Sequence, residues 1–228
     1  VMEISAEQIK LGVVWYFVFI MSTVLHEAAH AWVAKLGGDD TSAGQLTLDP
    51  TPHVRREPFG MVVVPWLSFF LGGWMIGWAS VPLDPGWAHR HPVRAGWMSL
   101  AGPLANLGLV AVAVVAIRFG IAAEVLRTAS SGRFTELVYA NSESMEIVAM
   151  FFSVLFSLNL ILFVFILLPI PPLDGATVVN VALGDTLARR WQALIANPAW
   201  SLIGLLVAWN VFPRIFAPVY RLALVALR

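Results

Sequence analysis

His26-Glu27-Ala28-Ala29-His30 sets two imidazoles four residues apart, with a carboxylate beside the first. On a helix, positions i and i+4 share one face a turn apart, so both rings can reach a single ion. This H-E-x-x-H pattern suits a catalytic zinc, which takes three protein ligands and keeps a fourth position for water. Glu27, next to His26, is placed to take that water's proton. The third ligand must come from elsewhere, and with no cysteine in the chain it must be His, Asp or Glu. Asp174 is the leading candidate. It follows Pro169-Ile170-Pro171-Pro172-Leu173 and precedes Gly175, and the prolines take that backbone out of helix. Alternatively Asp174 caps a helix starting at Gly175 or Ala176, and capping and ligation can partly coexist.

The elements that carry these residues are those of a membrane protein. Of 228 residues, 59% are hydrophobic and 12% charged, against about 25% charged in soluble domains, and the mean hydropathy is +0.78. Fourteen Lys/Arg balance fourteen Asp/Glu, so there is no basic surplus of the kind that binds nucleic acid. The lipid bilayer is the expected surrounding. Crossing it takes about 20 apolar residues in helix. Residues 59–83, 95–117, 147–173 and 191–213 contain no charged side chain, and 11–34 contains only Glu27. The expected fold is an all-α polytopic membrane protein of five to six transmembrane helices, forming a single domain over 1–228.

Several connections have their own signatures. The alternating stretch 44–48 after the first helix reads as a short strand or hairpin, placed to pair with an extended substrate by strand addition. Residues 118–146 read as a short surface helix and a turn, and 82–94 as an irregular loop. The tail 214–228 reads as an interfacial helix, broken from its predecessor by Pro213 and Pro218. Acidic Glu3 and Glu7 before the first apolar run argue that it stays as a helix and is not cleaved as a leader. The Lys/Arg of a five-span topology divide too evenly to orient it. Tryptophans including Trp87 and Trp191 read as interfacial anchors.

A charge at the bilayer centre costs roughly 2.5–3.5 kcal/mol, so ionisable residues there are rare unless functional. His26, Glu27, His30 and Asp174 are the clear exceptions. With Leu173-Asp174-Gly175, the run from Pro169, Ala101-Gly102-Pro103-Leu104-Ala105-Asn106, Gly77-Trp78-Ala79 and Leu46-Thr47-Leu48-Asp49-Pro50, the chain resembles the site-2 protease family of intramembrane zinc metalloproteases. The resemblance implies one zinc per chain on His26, His30 and Asp174, with Glu27 as general base and then acid. It further implies a transmembrane protein substrate, cut within or near the bilayer. One position departs from the family: Ile166 stands where an Asn eight residues before the metal-binding Asp commonly holds the oxyanion or substrate. Asn159, about two turns earlier, and Asn106 are the candidate replacements, with helix–helix hydrogen bonds as the other reading of both. His53 reads as a solvated loop histidine, and His89 and His91 as surface residues.

The expected function is therefore an intramembrane zinc endopeptidase. A catalytically silent relative that binds transmembrane helices as a regulator is the alternative that Ile166 favours. An ion pathway built on the same four residues is a third.

Overall fold

The computed structural model describes residues 5–227. Its first helix, α1 (Ala6–Leu36), starts at a capping box in which Ser5 Oγ accepts from the Gln8 amide and the Gln8 side chain accepts from the Ser5 amide. After it come α2 (Thr51–Arg56), a π-helical turn (Phe59–Val63) leading into α3 (Val64–Gly72), α4 (Pro85–Arg90) and the long α5 (Pro92–Ala122). An antiparallel hairpin of β1 (Leu126–Arg133) and β2 (Glu136–Ala140) precedes α6 (Glu146–Ile166), α7 (Asp174–Ile195) and α8 (Pro198–Val225). The protein is thus all-α apart from one small sheet. Among the described residues, four helices are long and apolar enough to cross a membrane: α1, α5, Glu143–Ile166 and α8.

Residues 59–83 do not form the expected span. Fourteen helical residues would rise about 21 Å, short of the roughly 30 Å hydrocarbon core. The helix stops at Gly73, whose φ of +78° is left-handed, and the chain then returns without helix until the Trp78 amide donates to the Gly60 carbonyl at 3.2 Å. The segment runs out and doubles back on itself. The absence of charge over 59–83 concealed this, because Gly72-Gly73 breaks the helix without any polar signal.

Other expectations also need correcting. Residues 44–48 are not a strand: Ala43–Gln45 is a 3-10 turn, and the chain beyond it is irregular. The hairpin lies instead at β1–β2, within the stretch expected to hold a surface helix. It is fixed there by packing on α6, where Ser153 Oγ accepts from the Leu137 amide at 3.2 Å, and Leu137 and Val138 are buried. Helix α8 runs through Pro213 and Pro218 unbroken, so the tail forms its last turns and not a separate helix. Tyr220 Oη donates to the Gly132 carbonyl at 3.0 Å, tying those turns to the hairpin. Helix α7 reverses at Gly184 (φ 67°). The Trp191 indole N–H consequently reaches the Ala176 carbonyl at 2.6 Å, a contact a straight helix would spread over about 22 Å. Trp191 and the buried Trp87, which donates to the Gly37 carbonyl at 3.1 Å, are therefore internal hydrogen-bond donors.

The apolar centre is formed where α1, α5 and α6 meet, by Trp15, Val18 and Phe19, by Ala113 and Ile117, and by Val154 and Phe156. Large apolar side chains on the opposite faces, such as Phe17, Val115 and Leu206, are exposed, as a helix facing lipid requires. At the end of the bundle where α1 finishes, the loops are pinned by Asp39. Its carboxylate accepts from the Thr41 amide and hydroxyl and from the Asp84 amide. Burial opposes the charge on Asp39, but these hydrogen bonds outweigh it and hold the carboxyl below its ordinary range.

Candidate metal centre

Asp174 is carried to α1 by the proline-rich turn that ends α6. Gly175 has no room for a side chain: a Cβ there would lie 2.2 Å from the Leu167 carbonyl oxygen. The glycine after Asp174 lets the chain double back tightly enough to bring the carboxylate to the histidines. Asp174 Oδ2 lies 3.1 Å from His30 Nε2 and 3.2 Å from His26 Nε2, and the two Nε2 atoms are 2.9 Å apart. Two ligands at zinc distances of about 2.0–2.2 Å in tetrahedral array lie about 3.3 Å apart, so the triangle is close to that size.

The protonation pattern follows from backbone carbonyls outward, since these only accept. Asn159 Nδ2 donates to the Leu155 carbonyl at 2.8 Å and to Ser22 Oγ at 2.9 Å, so its Oδ1 is the acceptor for Asn106 Nδ2 at 2.9 Å. Asn106 Oδ1 is then left to accept from His26 Nδ1 at 2.6 Å. His30 Nδ1 donates likewise to the Met98 carbonyl at 2.7 Å. Both imidazoles hold their proton on Nδ1, so both Nε2 lone pairs and a carboxylate oxygen face one point. Such a convergence needs positive charge, from a proton or a metal ion, and two imidazoles with one carboxylate are a donor set that suits zinc.

Glu27 is buried at 6% exposure and lies outside the donor triangle. Among the described residues none hydrogen-bonds its carboxylate, which leaves the group free for a water. The Asp174 side chain, 26% exposed against 7% and 6% for the histidines, marks the open flank. Helix α5 lies directly against the two histidines. A Cβ on Gly102 would lie 2.4 Å from the Nε2 atoms of both His26 and His30, so bare backbone forms the floor of the site.

The structure thus brings His26, His30, Asp174 and Glu27 together. It places Asn106 and Asn159 behind His26, both fully buried, where they orient the ring and do not face an open site. Ile166 ends α6 with no polar group to offer. Three contributors were not singled out for these roles from sequence: Gly102, Ser22 and the Met98 carbonyl. Ser22 had a signal, a hydroxyl one turn before His26 in an apolar helix. His53 is not solvated but fully buried, with neither ring nitrogen hydrogen-bonded.

Two outcomes follow for the metal. Purified protein is expected to hold about one zinc per chain, and Asp174→Ala to lose most of it, because three ligands are needed; elemental analysis showing full retention would remove Asp174 from the site. Asn106→Leu, which frees the His26 tautomer, should weaken zinc affinity about 10- to 100-fold, measured by competition with a chelator. An unchanged affinity would show that the amide pair plays no part in holding His26.

A profile described as Peptidase family M50 matches residues 14–209. A curated protein of Bacillus subtilis (strain 168), described as "Putative zinc metalloprotease YwhC", is 33% identical over 171 residues, covering 71% of this chain and 65% of its own length. The chain therefore spans less than two thirds of that relative. No solved structure matches.

Proposed function

Because the chain belongs to peptidase family M50, the site-2 protease family, we propose that it is a multi-pass intramembrane zinc endopeptidase that cuts transmembrane-helix substrates within or near the bilayer. The observation that carries this reading is the convergence of His26 Nε2, His30 Nε2 and Asp174 Oδ2 beside the unpartnered Glu27, on a helix apolar enough to cross a membrane.

Bound zinc would lower the pKa of a water and polarise the scissile carbonyl. His26 and His30 supply neutral Nε2 lone pairs, kept available by the acceptors on Nδ1, and Asp174 supplies the negative oxygen. Glu27 takes a proton from the attacking water as the new C–O bond forms on the carbonyl carbon. It then delivers that proton to the nitrogen as the C–N bond breaks, so one water is consumed and a carboxylate and an amine are released. A substrate helix hides its peptide groups in its own hydrogen bonds and must unwind first. Strand pairing with 44–48 loses its support, since those residues do not form a strand.

The test compares membrane-protein fragments from cells carrying the wild type with those carrying Glu27→Gln. New termini inside or beside apolar helices, present only with the wild type, are the expected result. Ile166 favours a second reading, a silent relative that binds helices without cutting them; identical fragment patterns would select it.

A further inference from the structure

Among the described residues, the buried polar atoms without partners are Trp15 Nε1, Ser42 Oγ, Gln45 Oε1, both ring nitrogens of His53 and both amide atoms of Asn180. Ser42, Gln45 and His53 belong to one strip. Its course is fixed at both ends. The Asp39 amide returns to the Ala34 carbonyl in the last turns of α1, and Gly60 meets Gly77, which lies against the Phe19 ring. The strip therefore runs back along α1 over about 22 Å, passing the level of Glu27. His53 is close enough to act electrostatically on Glu27, whose carboxylate has no hydrogen-bond partner among the described residues.

A neutral imidazole carries one donor and one acceptor, and leaving both unmet in the interior costs stability. Such a group persists where a partner arrives from outside. Bound zinc would polarise the scissile carbonyl from one side, and hydrolysis also gains from a hydrogen-bond donor to that oxygen as it takes up negative charge, which the rest of the site does not supply. Ile166 has none, and Asn106 and Asn159 face each other behind His26.

We propose that His53 donates a ring N–H to the carbonyl oxygen of the scissile peptide, an assignment that rests on the endopeptidase reading above.

The test uses the full chain with its zinc and a synthetic transmembrane peptide, carrying a fluorophore and a quencher on either side of its apolar core, in detergent micelles. His53→Phe is expected to lower kcat about 10²- to 10³-fold, with KM little changed and zinc retained. The same variant should unfold at an equal or higher temperature, by up to about 2–4 °C, since it removes the unpaired groups. His53→Gln, which keeps an N–H, should recover at least about tenfold over His53→Phe. Three results would each overturn the assignment: His53→Phe within about threefold of wild type, loss of zinc or a lowered unfolding temperature in His53→Phe, or His53→Gln no better than His53→Phe. Glu27→Gln runs alongside. A wild type no faster than Glu27→Gln would overturn the endopeptidase reading itself, and this assignment with it.

Discussion

Glu27→Gln is expected to keep the fold and the zinc while lowering cleavage of a transmembrane peptide about 10²- to 10⁴-fold, the usual worth of general acid–base catalysis. The substitution keeps size and polarity. It removes only the ability to accept a proton. Glu27 is not among the atoms that converge on the metal position, and no hydrogen bond among the described residues depends on its carboxylate, so neither zinc content nor unfolding temperature has reason to fall. Cleavage by Glu27→Gln at the wild-type rate, with zinc bound, would end the metallopeptidase mechanism for this chain.

Gly102→Ala is expected to abolish both zinc binding and cleavage, although replacing glycine by alanine inside a helix ordinarily gains up to about 1 kcal/mol. The reversal comes from position. The added carbon would sit 2.4 Å from both ligand nitrogens and 2.6 Å from His26 Cε1, and α5 cannot retreat because α1, α6 and α7 all pack against it. The rings must turn away, and the point they shared is lost. Gly108→Ala, six residues along the same helix with nothing within 4 Å of its added carbon, is the matched control and should keep one zinc. Zinc near one per chain in Gly102→Ala would show that α5 does not form the floor of the site.

What could be read from the sequence was chemistry concentrated in a few residues. Charged and imidazole groups inside apolar runs are costly enough to stand out, which made His26, Glu27, His30 and Asp174 visible without a fold. Support by uncharged groups was far less visible. Asn106 and Asn159 drew attention as possible substrate contacts or as helix–helix hydrogen bonds, and they do bond to each other across α5 and α6. The bond that gives Asn106 its role, however, spans 80 residues to His26 and left no local signal. Gly102 acts through the absence of a side chain, which no residue type advertises. His53 was misread because a histidine amid Thr, Pro and Arg resembles a loop residue, whereas the strip it sits on folds back over α1. The same locality misplaced the sheet. Residues 44–48 alternate but have no neighbouring strand, while the β1 sequence Leu-Arg-Thr-Ala-Ser-Ser-Gly-Arg has little intrinsic strand character and gains its conformation from β2 and α6.

The hydrogen bonds from His26 through Asn106 and Asn159 to Ser22 begin and end on α1, having passed through α5 and α6. They form a closed circuit, and its closure makes metal affinity and helix register thermodynamically linked quantities. An ion that binds only when the circuit is intact stabilises the joined bundle by mass action, about 2.7 kcal/mol at a free concentration 100 times its dissociation constant. Reciprocally, anything that wedges these three helices apart, including a badly seated substrate, loosens the ion by the same free energy.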